Sequence, residues 1–120
     1  MESLQATKAN DFLIYNPHNV KGKTVDRVEK ALTLLITYCK DKQLISQNQL
    51  PIKVGITTNF YALDGCVSFQ RYPSSMVIGS SGKQTTIAHE LAHLISKADD
   101  LVPEFEKLNQ ELKIVVRNIQ

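Results

Sequence analysis

The chain has 120 residues, of which 42% are hydrophobic and 22% charged. This length allows one compact domain, residues 1–120, and leaves no room for a second. The net charge is +2 and the basic residues are scattered, which argues against nucleic-acid binding. No run reaches the roughly 18 apolar residues of a membrane span, and the N-terminus does not resemble a signal peptide. We therefore expect a cytoplasmic protein, a monomer or a weak homodimer, without membrane contact.

The first part of the chain predicts a polar segment followed by a helix. Residues 1–22 are polar, and their one apolar run, residues 12–15, suits either an edge strand or a short helix. Thr24 is a plausible N-cap for a helix that ends near residue 41. Apolar residues recur there at helical spacing and predict a helix that backs the core: Val25, Val28, Leu32, Leu35, Ile36 and Cys39.

The middle of the chain predicts three short strands. Residues 52–58 alternate apolar and polar side chains, as a half-buried strand does. Turn-forming residues at 63–66 and 72–75 precede two further short segments, at 67–70 and 76–79. We expect these strands to pair antiparallel.

The pentapeptide His89-Glu90-Leu91-Ala92-His93 is the most informative feature of the chain. Residues four apart lie on one face of a helix, so both imidazoles can bind one metal ion. Glu90 then stands beside the metal and can act as general base and acid toward a metal-activated water. This pattern predicts a zinc-dependent peptidase with one zinc ion per chain. The alternative is an amphipathic helix whose histidines merely border the core.

The helix that carries this motif has clear predicted ends. Ser81 and Gln84 have the spacing of a capping box, so the helix should begin near residue 82. It should end near Lys97, because Asp99, Asp100 and Pro103 indicate a break and a new start. A final helix follows, from about residue 102 to residue 116.

The residues around the motif resemble those of the zincin metallopeptidases. Threonine precedes the first histidine by three positions, and the other flanking positions are uncharged, as in that family: Thr86, Ile87, Leu91, Ala92, Leu94 and Ile95. Over residues 24–115 the chain resembles the small single-domain gluzincins called minigluzincins. The resemblance implies an α+β fold with a backing helix, a short, mostly antiparallel three-stranded sheet, the active-site helix and a C-terminal helix. It also implies a peptide or an unfolded protein as substrate.

In that family the strand before the active-site helix is an exposed edge that pairs with the substrate. Carried over to this chain, the strand would be residues 75–79, with Met76, Val77, Ile78 and Gly79 binding the substrate. The same apolar residues also suit an ordinary buried strand.

A catalytic zinc site needs a third protein ligand. The only other histidine, His18, lies in a turn-rich segment and is interpreted as a surface residue. In gluzincins the third ligand is a glutamate on a following helix, and here the final helix offers Glu104, Glu106 and Glu111. We favour Glu104 because it flanks the apolar stripe of that helix, with Asp99 and Asp100 as further candidates. The stripe is predicted to consist of Leu101, Phe105, Leu108, Leu112 and Val115.

The cysteines, the tyrosines and the C-terminal tail are further candidates for a part in the predicted site. Cys39 and Cys66 are expected to be reduced and buried, although a Cys66 thiolate at the metal would be an alternative. Tyr61 and Tyr72 are available as oxyanion donors, but neither lies in a motif. The tail at residues 116–120 could block the cleft of a latent form. The alternatives to a peptidase are a zinc-binding protein without turnover and a metal-free interaction module.

Overall fold

The structure, a computed structural model, describes residues 6–7, 10–58, 65–67 and 74–117, and for residues 65–67 it describes the backbone alone. The elements confirm the predicted order of helix, strands, histidine-bearing helix and final helix, and they add a strand at the start. They are β1 (Phe12–Tyr15), α1 (Gly22–Asp41), a 3-10 turn (Gln47–Gln49), β2 (Ile52–Thr57), β3 (Gly65–Val67), β4 (Ser75–Gly79), α2 (Gln84–Ser96) and α3 (Pro103–Arg117).

The fold is α+β as predicted, but the sheet is not mostly antiparallel. Its strand order is β1-β2-β4-β3. β1 pairs parallel with β2, and β2 pairs parallel with β4, so that Val54 lies between Ile14 and Met76. Among the described strands, only β3 runs antiparallel, against β4. The prediction failed because α1 connects β1 to β2, and a helical crossover of that length allows the two strands to run in the same direction. Residues 12–15 are thus the edge strand, not the short helix.

β4 is an interior strand, and this overturns the prediction that it is an exposed edge. It pairs with β2 on one side and, through Met76, Val77 and Ile78, with β3 on the other. Met76 and Ile78 are buried, as is Gly79, and only Val77 is exposed. These residues therefore cannot bind a substrate by strand addition to β4 while β3 is paired.

The core lies between one face of the sheet and the three helices. Along β2 the buried Ile52, Val54 and Ile56 alternate with the exposed Lys53 and the half-buried Gly55. α2 packs against β3 and β4, and α1 packs against α2 and α3. Burial of each large aliphatic side chain contributes about 1.5–3 kcal/mol. The largest fully buried residues include Leu32, Leu35, Ile36, Ile87, Leu91, Leu94 and Leu112.

Both predicted N-caps are wrong. α1 begins at Gly22 with Lys21 at the N-cap, because the Asn16 side chain bonds both backbone groups of Val20 and directs the chain into the helix before Thr24. α2 begins at Gln84 with Lys83 at the N-cap and without a capping side-chain bond. The capping box at Ser81 is absent there because residues 79–82 form a turn, in which the amide of Gly82 donates to the carbonyl of Gly79.

The C-terminal helix has about the predicted bounds, from Pro103 to Arg117. α3 ends at Arg117, and Val116 is buried, so the first residues of the predicted tail at 116–120 belong to the helix. The last three residues lie outside the described ranges.

Of the helices in those ranges, none combines the length and the apolar character that a bilayer crossing requires.

Candidate metal centre

The two histidines of the motif lie one turn apart on α2. Their ring centroids are 4.8 Å apart, and the rings meet edge to face. The helix is buried on most of its surface, because neighbouring apolar residues pack into the core. Glu90 and His93 are buried together with the apolar residues of α2, whereas His89 is partly exposed. α2 therefore holds both imidazoles in fixed positions at the boundary between the core and the solvent.

The loop between α2 and α3 brings a carboxylate to these imidazoles. Lys97 and Leu101 both have left-handed backbone, with φ of 55° and 72°, and turn the chain back over the end of α2. The carbonyl of Ala98 lies 2.8 Å from Nδ1 of His93. Oδ1 of Asp100 lies 2.9 Å from Nε2 of His93 and 3.6 Å from Nε2 of His89.

The hydrogen bond to Ala98 determines where the His93 proton lies. A carbonyl oxygen only accepts, so Nδ1 of His93 must donate, and Nε2 of the neutral ring carries a lone pair. That lone pair then faces Oδ1 of Asp100, which is a second acceptor, at 2.9 Å. Two acceptors at this distance need a proton or a cation between them. Either an imidazolium–carboxylate pair or a bound metal ion meets that need.

The residue types of the cluster, two histidines and an aspartate, are ones that bind zinc in proteins. The ligand atoms of His89, His93 and Asp100 lie within 4.8 Å of one another. Tetrahedral zinc with bonds of about 2.0–2.2 Å places neighbouring ligand atoms roughly 3.3–3.5 Å apart. The two separations to the Asp100 oxygen, 2.9 and 3.6 Å, lie on either side of that range. The bond from His93 to Ala98 is also the kind of outer contact that orients a metal-ligating histidine.

The structure does not bring Glu104, the predicted third ligand, to the histidines. Glu104 is exposed, and among the described residues the group of potential ligands contains Asp100 instead. The buried face of α3 includes Asn109 and Val116, which the predicted stripe omitted, while Leu101 is 84% exposed. Compared with the predicted stripe, the buried face of α3 is rotated away from Glu104.

The other candidate carboxylates are also accounted for. Glu111 accepts a hydrogen bond from the hydroxyl of Tyr38, which links α3 to α1. Asp99 is exposed and outside the group of ligands. Glu106 is exposed as well, but it lines a cavity next to His89. Asp100, one of the alternatives considered from the sequence, is the acidic residue placed against both imidazoles.

Glu90 lies beside the cluster without joining it. Its Oε1 is 3.9 Å from Nε2 of His89, and the residue is only 7% exposed. Burial raises the pKa of the Glu90 carboxyl above its ordinary value; the charge of Asp100 adds to this, while His93 opposes it. A carboxyl whose pKa is raised toward neutrality is suited to both accepting and returning a proton.

The environment of His89 favours its neutral form. Burial lowers the pKa of His89, the neighbouring His93 and Lys113 lower it further, and Asp100 opposes them. A neutral imidazole keeps the lone pair that a metal needs.

Phe105 supports the cluster from α3, and sequence reasoning did not anticipate this contact. Its ring stacks on His93 with centroids 3.8 Å apart and an interplanar angle of 7°, and it meets His89 edge to face. Phe105 is 3% exposed. The sequence placed it in the apolar stripe of the last helix, but periodicity alone could not show that this stripe covers the histidines.

A cavity of about 370 Å³ opens beside the cluster. His89 and Asp100 line one side of it. The loop and α3 supply the remaining lining residues, which are Leu101, Phe105, Glu106, Asn109 and Gln110. The cavity lies on the α3 side of the histidines and is lined by no residue of β4, the strand predicted from the sequence as the substrate site.

The remaining predicted residues lie away from the cluster or outside the description. His18 is exposed and contacts Thr58 through Nδ1 at 3.0 Å. Cys39 is buried and reduced, as expected. Tyr61, Tyr72 and the side chain of Cys66 lie outside the described residues, so the oxyanion donor and the thiolate alternative stay predictions.

No family model, curated protein or solved structure matches the chain. The function is therefore inferred from the side chains and their geometry.

Proposed function

We propose that the chain is a zinc-dependent peptidase that acts on peptides or unfolded proteins. The observation that supports this most is the convergence of His89, His93 and Asp100 on one point, with the buried carboxyl of Glu90 next to it. Three protein ligands and a fourth position left open are typical of catalytic zinc, whereas structural zinc is usually closed by four.

His89 and His93 would hold the ion through Nε2, and Asp100 through its carboxylate. Bound zinc supplies a Lewis acid that polarises a carbonyl and makes water a stronger nucleophile near neutral pH. Glu90 takes the proton from the attacking water and delivers it to the departing amine. Its burial and raised pKa suit this exchange, since the ideal general base has a pKa near the working pH.

The loop and α3 fix this arrangement. The carbonyl of Ala98 orients the His93 ring, and Phe105 packs flat against it. Because these contacts exist before any substrate binds, the side chains need little rearrangement during the reaction.

Hydrolysis of a fluorescent unfolded protein by the zinc-loaded chain tests the proposal. We expect activity that a chelator abolishes and added zinc restores. Glu90→Gln should lower the rate by about 100-fold or more while the zinc content stays at one ion per chain. Glu104→Gln, an exposed change on the neighbouring helix, is the matched control and should keep both properties.

A second candidate, a zinc-stapled protein without turnover, is favoured by one feature of the same site. The ligands come from α2 and from the loop that follows it, so a bound ion would hold this loop against the helix. One zinc per chain together with no hydrolysis by the native protein would favour this reading. Absence of zinc binding would exclude both candidates and leave a metal-free interaction module.

A further inference from the structure

The ring of Phe105 lies closer to the His93 ring than ordinary packing of two neutral aromatic rings requires. The ring centroids are 3.8 Å apart, and the planes are within 7° of parallel. Two neutral rings prefer an offset or an edge-to-face arrangement, with centroids about 4.5–7 Å apart. At the shorter separation the two faces overlap over much of their area. This arrangement suits an electron-poor or positively charged ring on the face of a phenyl ring.

The surrounding contacts hold this stack in place and keep it dry. Nδ1 of His93 donates to the carbonyl of Ala98, which fixes the orientation of the imidazole. Phe105 lies in the first turn of α3, and its ring also meets the His89 ring edge to face, with centroids 5.1 Å apart. Phe105 and His93 are both buried. The attraction between a positive charge and an aromatic face is strongest where water is excluded.

We propose that Phe105 is a positioning residue of the metal site and that its aromatic face strengthens zinc binding through the His93 ring. An imidazole that donates its lone pair to a cation becomes electron-poor, and the negative face of a phenyl ring stabilises it in that state. A leucine at this position would fill much of the same space but has no such face. This inference rests on the proposed function, because it concerns how the same site holds its metal ion.

Fluorinated phenylalanines at position 105 separate this electronic role from packing. Each added fluorine withdraws electron density from the face of the ring and changes its shape little. Site-specific incorporation gives full-length chains with a mono-, di- or trifluorinated ring, and competition with a chromophoric chelator at about pH 8.5 gives their zinc dissociation constants, with little competition from protons. We expect the dissociation constant to rise with each fluorine, by about fivefold in total for the trifluorinated chain.

Phe12 provides the matched control, since it is a fully buried phenylalanine that belongs to β1 and not to the cluster. The same fluorinated series at position 12 should leave the zinc dissociation constant unchanged within about twofold. Urea unfolding of the zinc-free chains at the same pH should give similar free energies across the series at position 105, because the ring keeps its apolar volume. Phe105→Leu, once circular dichroism shows that it folds, should weaken zinc binding by about tenfold.

The possible failures can be told apart. Zinc affinity that does not depend on the number of fluorines at position 105, or that falls equally in the series at position 12, overturns the inference even if the native chain hydrolyses peptides. A loss of zinc-free stability that matches the loss of affinity overturns it as well, since the ring would then act through packing alone. Affinity that follows the fluorine number in a chain without hydrolytic activity would contradict only the peptidase proposal.

Discussion

Nε2 of His93 lies 2.9 Å from Oδ1 of Asp100. The opposite nitrogen of the same ring is already committed to the carbonyl of Ala98, so this short contact requires a shared proton or a cation. Asp100 is 70% exposed in its side chain, and a solvent-exposed ion pair by itself contributes only about 0–1 kcal/mol. If a metal ion is bound, Asp100 contributes much more, because it is then a ligand. The variant Asp100→Asn distinguishes the ion pair from the metal site.

Asp100→Asn should weaken zinc binding by at least about tenfold. The amide keeps the size of the carboxylate but removes the negative charge that a zinc ligand supplies. Competition with a chromophoric chelator gives the dissociation constant of each variant.

The neighbouring aspartate and the originally predicted ligand are the controls for Asp100→Asn. Asp99→Asn and Glu104→Gln each remove one exposed carboxylate outside the cluster and should leave zinc affinity unchanged within about twofold. Loss of affinity in Glu104→Gln with normal affinity in Asp100→Asn would instead support Glu104 as the third ligand.

Phe105→Ala should destabilise the zinc-free protein by about 3–5 kcal/mol, because it removes a buried ring that stacks on His93. Urea unfolding in the presence of a chelator, followed by circular dichroism, gives the free energy of unfolding. Ile114→Ala, at a 59% exposed position of the same helix, should change it by less than about 0.5 kcal/mol. Equal effects of the two changes would mean that Phe105 does not anchor α3.

The sequence predicted the helices better than the sheet. Amphipathic spacing in α1, α2 and α3 is a local signal, and all three helices lie within a few residues of their predicted bounds. Strand direction depends on which strands meet across the chain. β1, which pairs parallel with β2, is a run of four apolar residues. The sequence did not show whether this run forms a strand or a helix, so its pairing could not be predicted.

In the candidate site, too, the sequence predicted what local spacing determines and missed what depends on the path of the chain. His89, Glu90 and His93 were recognisable because a helix fixes their spacing. Asp100 was only one of several acidic candidates, because its position depends on two left-handed residues, Lys97 and Leu101, neither of which is a glycine. The sequence predicted the break between α2 and α3, but it did not show that the chain turns back and places Asp100 against the imidazoles.

Glu90→Gln should stabilise the zinc-free protein at neutral pH. Burial raises the folded-state pKa of Glu90, so just above the ordinary value of 4.5 the folded state binds more protons than the unfolded state. Stability of the native chain therefore falls as the pH rises from the ordinary value through the raised one, whereas glutamine does not titrate. Urea unfolding of both chains with a chelator, between pH 4 and pH 8, measures this difference. A difference that does not vary with pH would show that the carboxyl titrates normally.

Cys39 should resist alkylation in the folded protein. Burial raises the pKa of its thiol from 9.0 to about 12, and the charge of Glu111 adds to the effect, so the reactive thiolate is scarce at pH 8. Iodoacetamide should label Cys39 at least ~100-fold faster in urea than in buffer, as read from the Cys39 peptide by mass spectrometry.

The same raised pKa of Cys39 sets the sign of a stability change at high pH. Above pH 9 the unfolded chain loses the thiol proton while the folded chain keeps it, so this contribution is present below pH 9 and is lost as the pH rises toward 12. Cys39→Ala removes the titrating group and should show a smaller loss of unfolding free energy between pH 8 and pH 10. Rapid labelling of the native protein, or identical pH profiles for the two chains, would mean that α1 opens and exposes Cys39 to solvent.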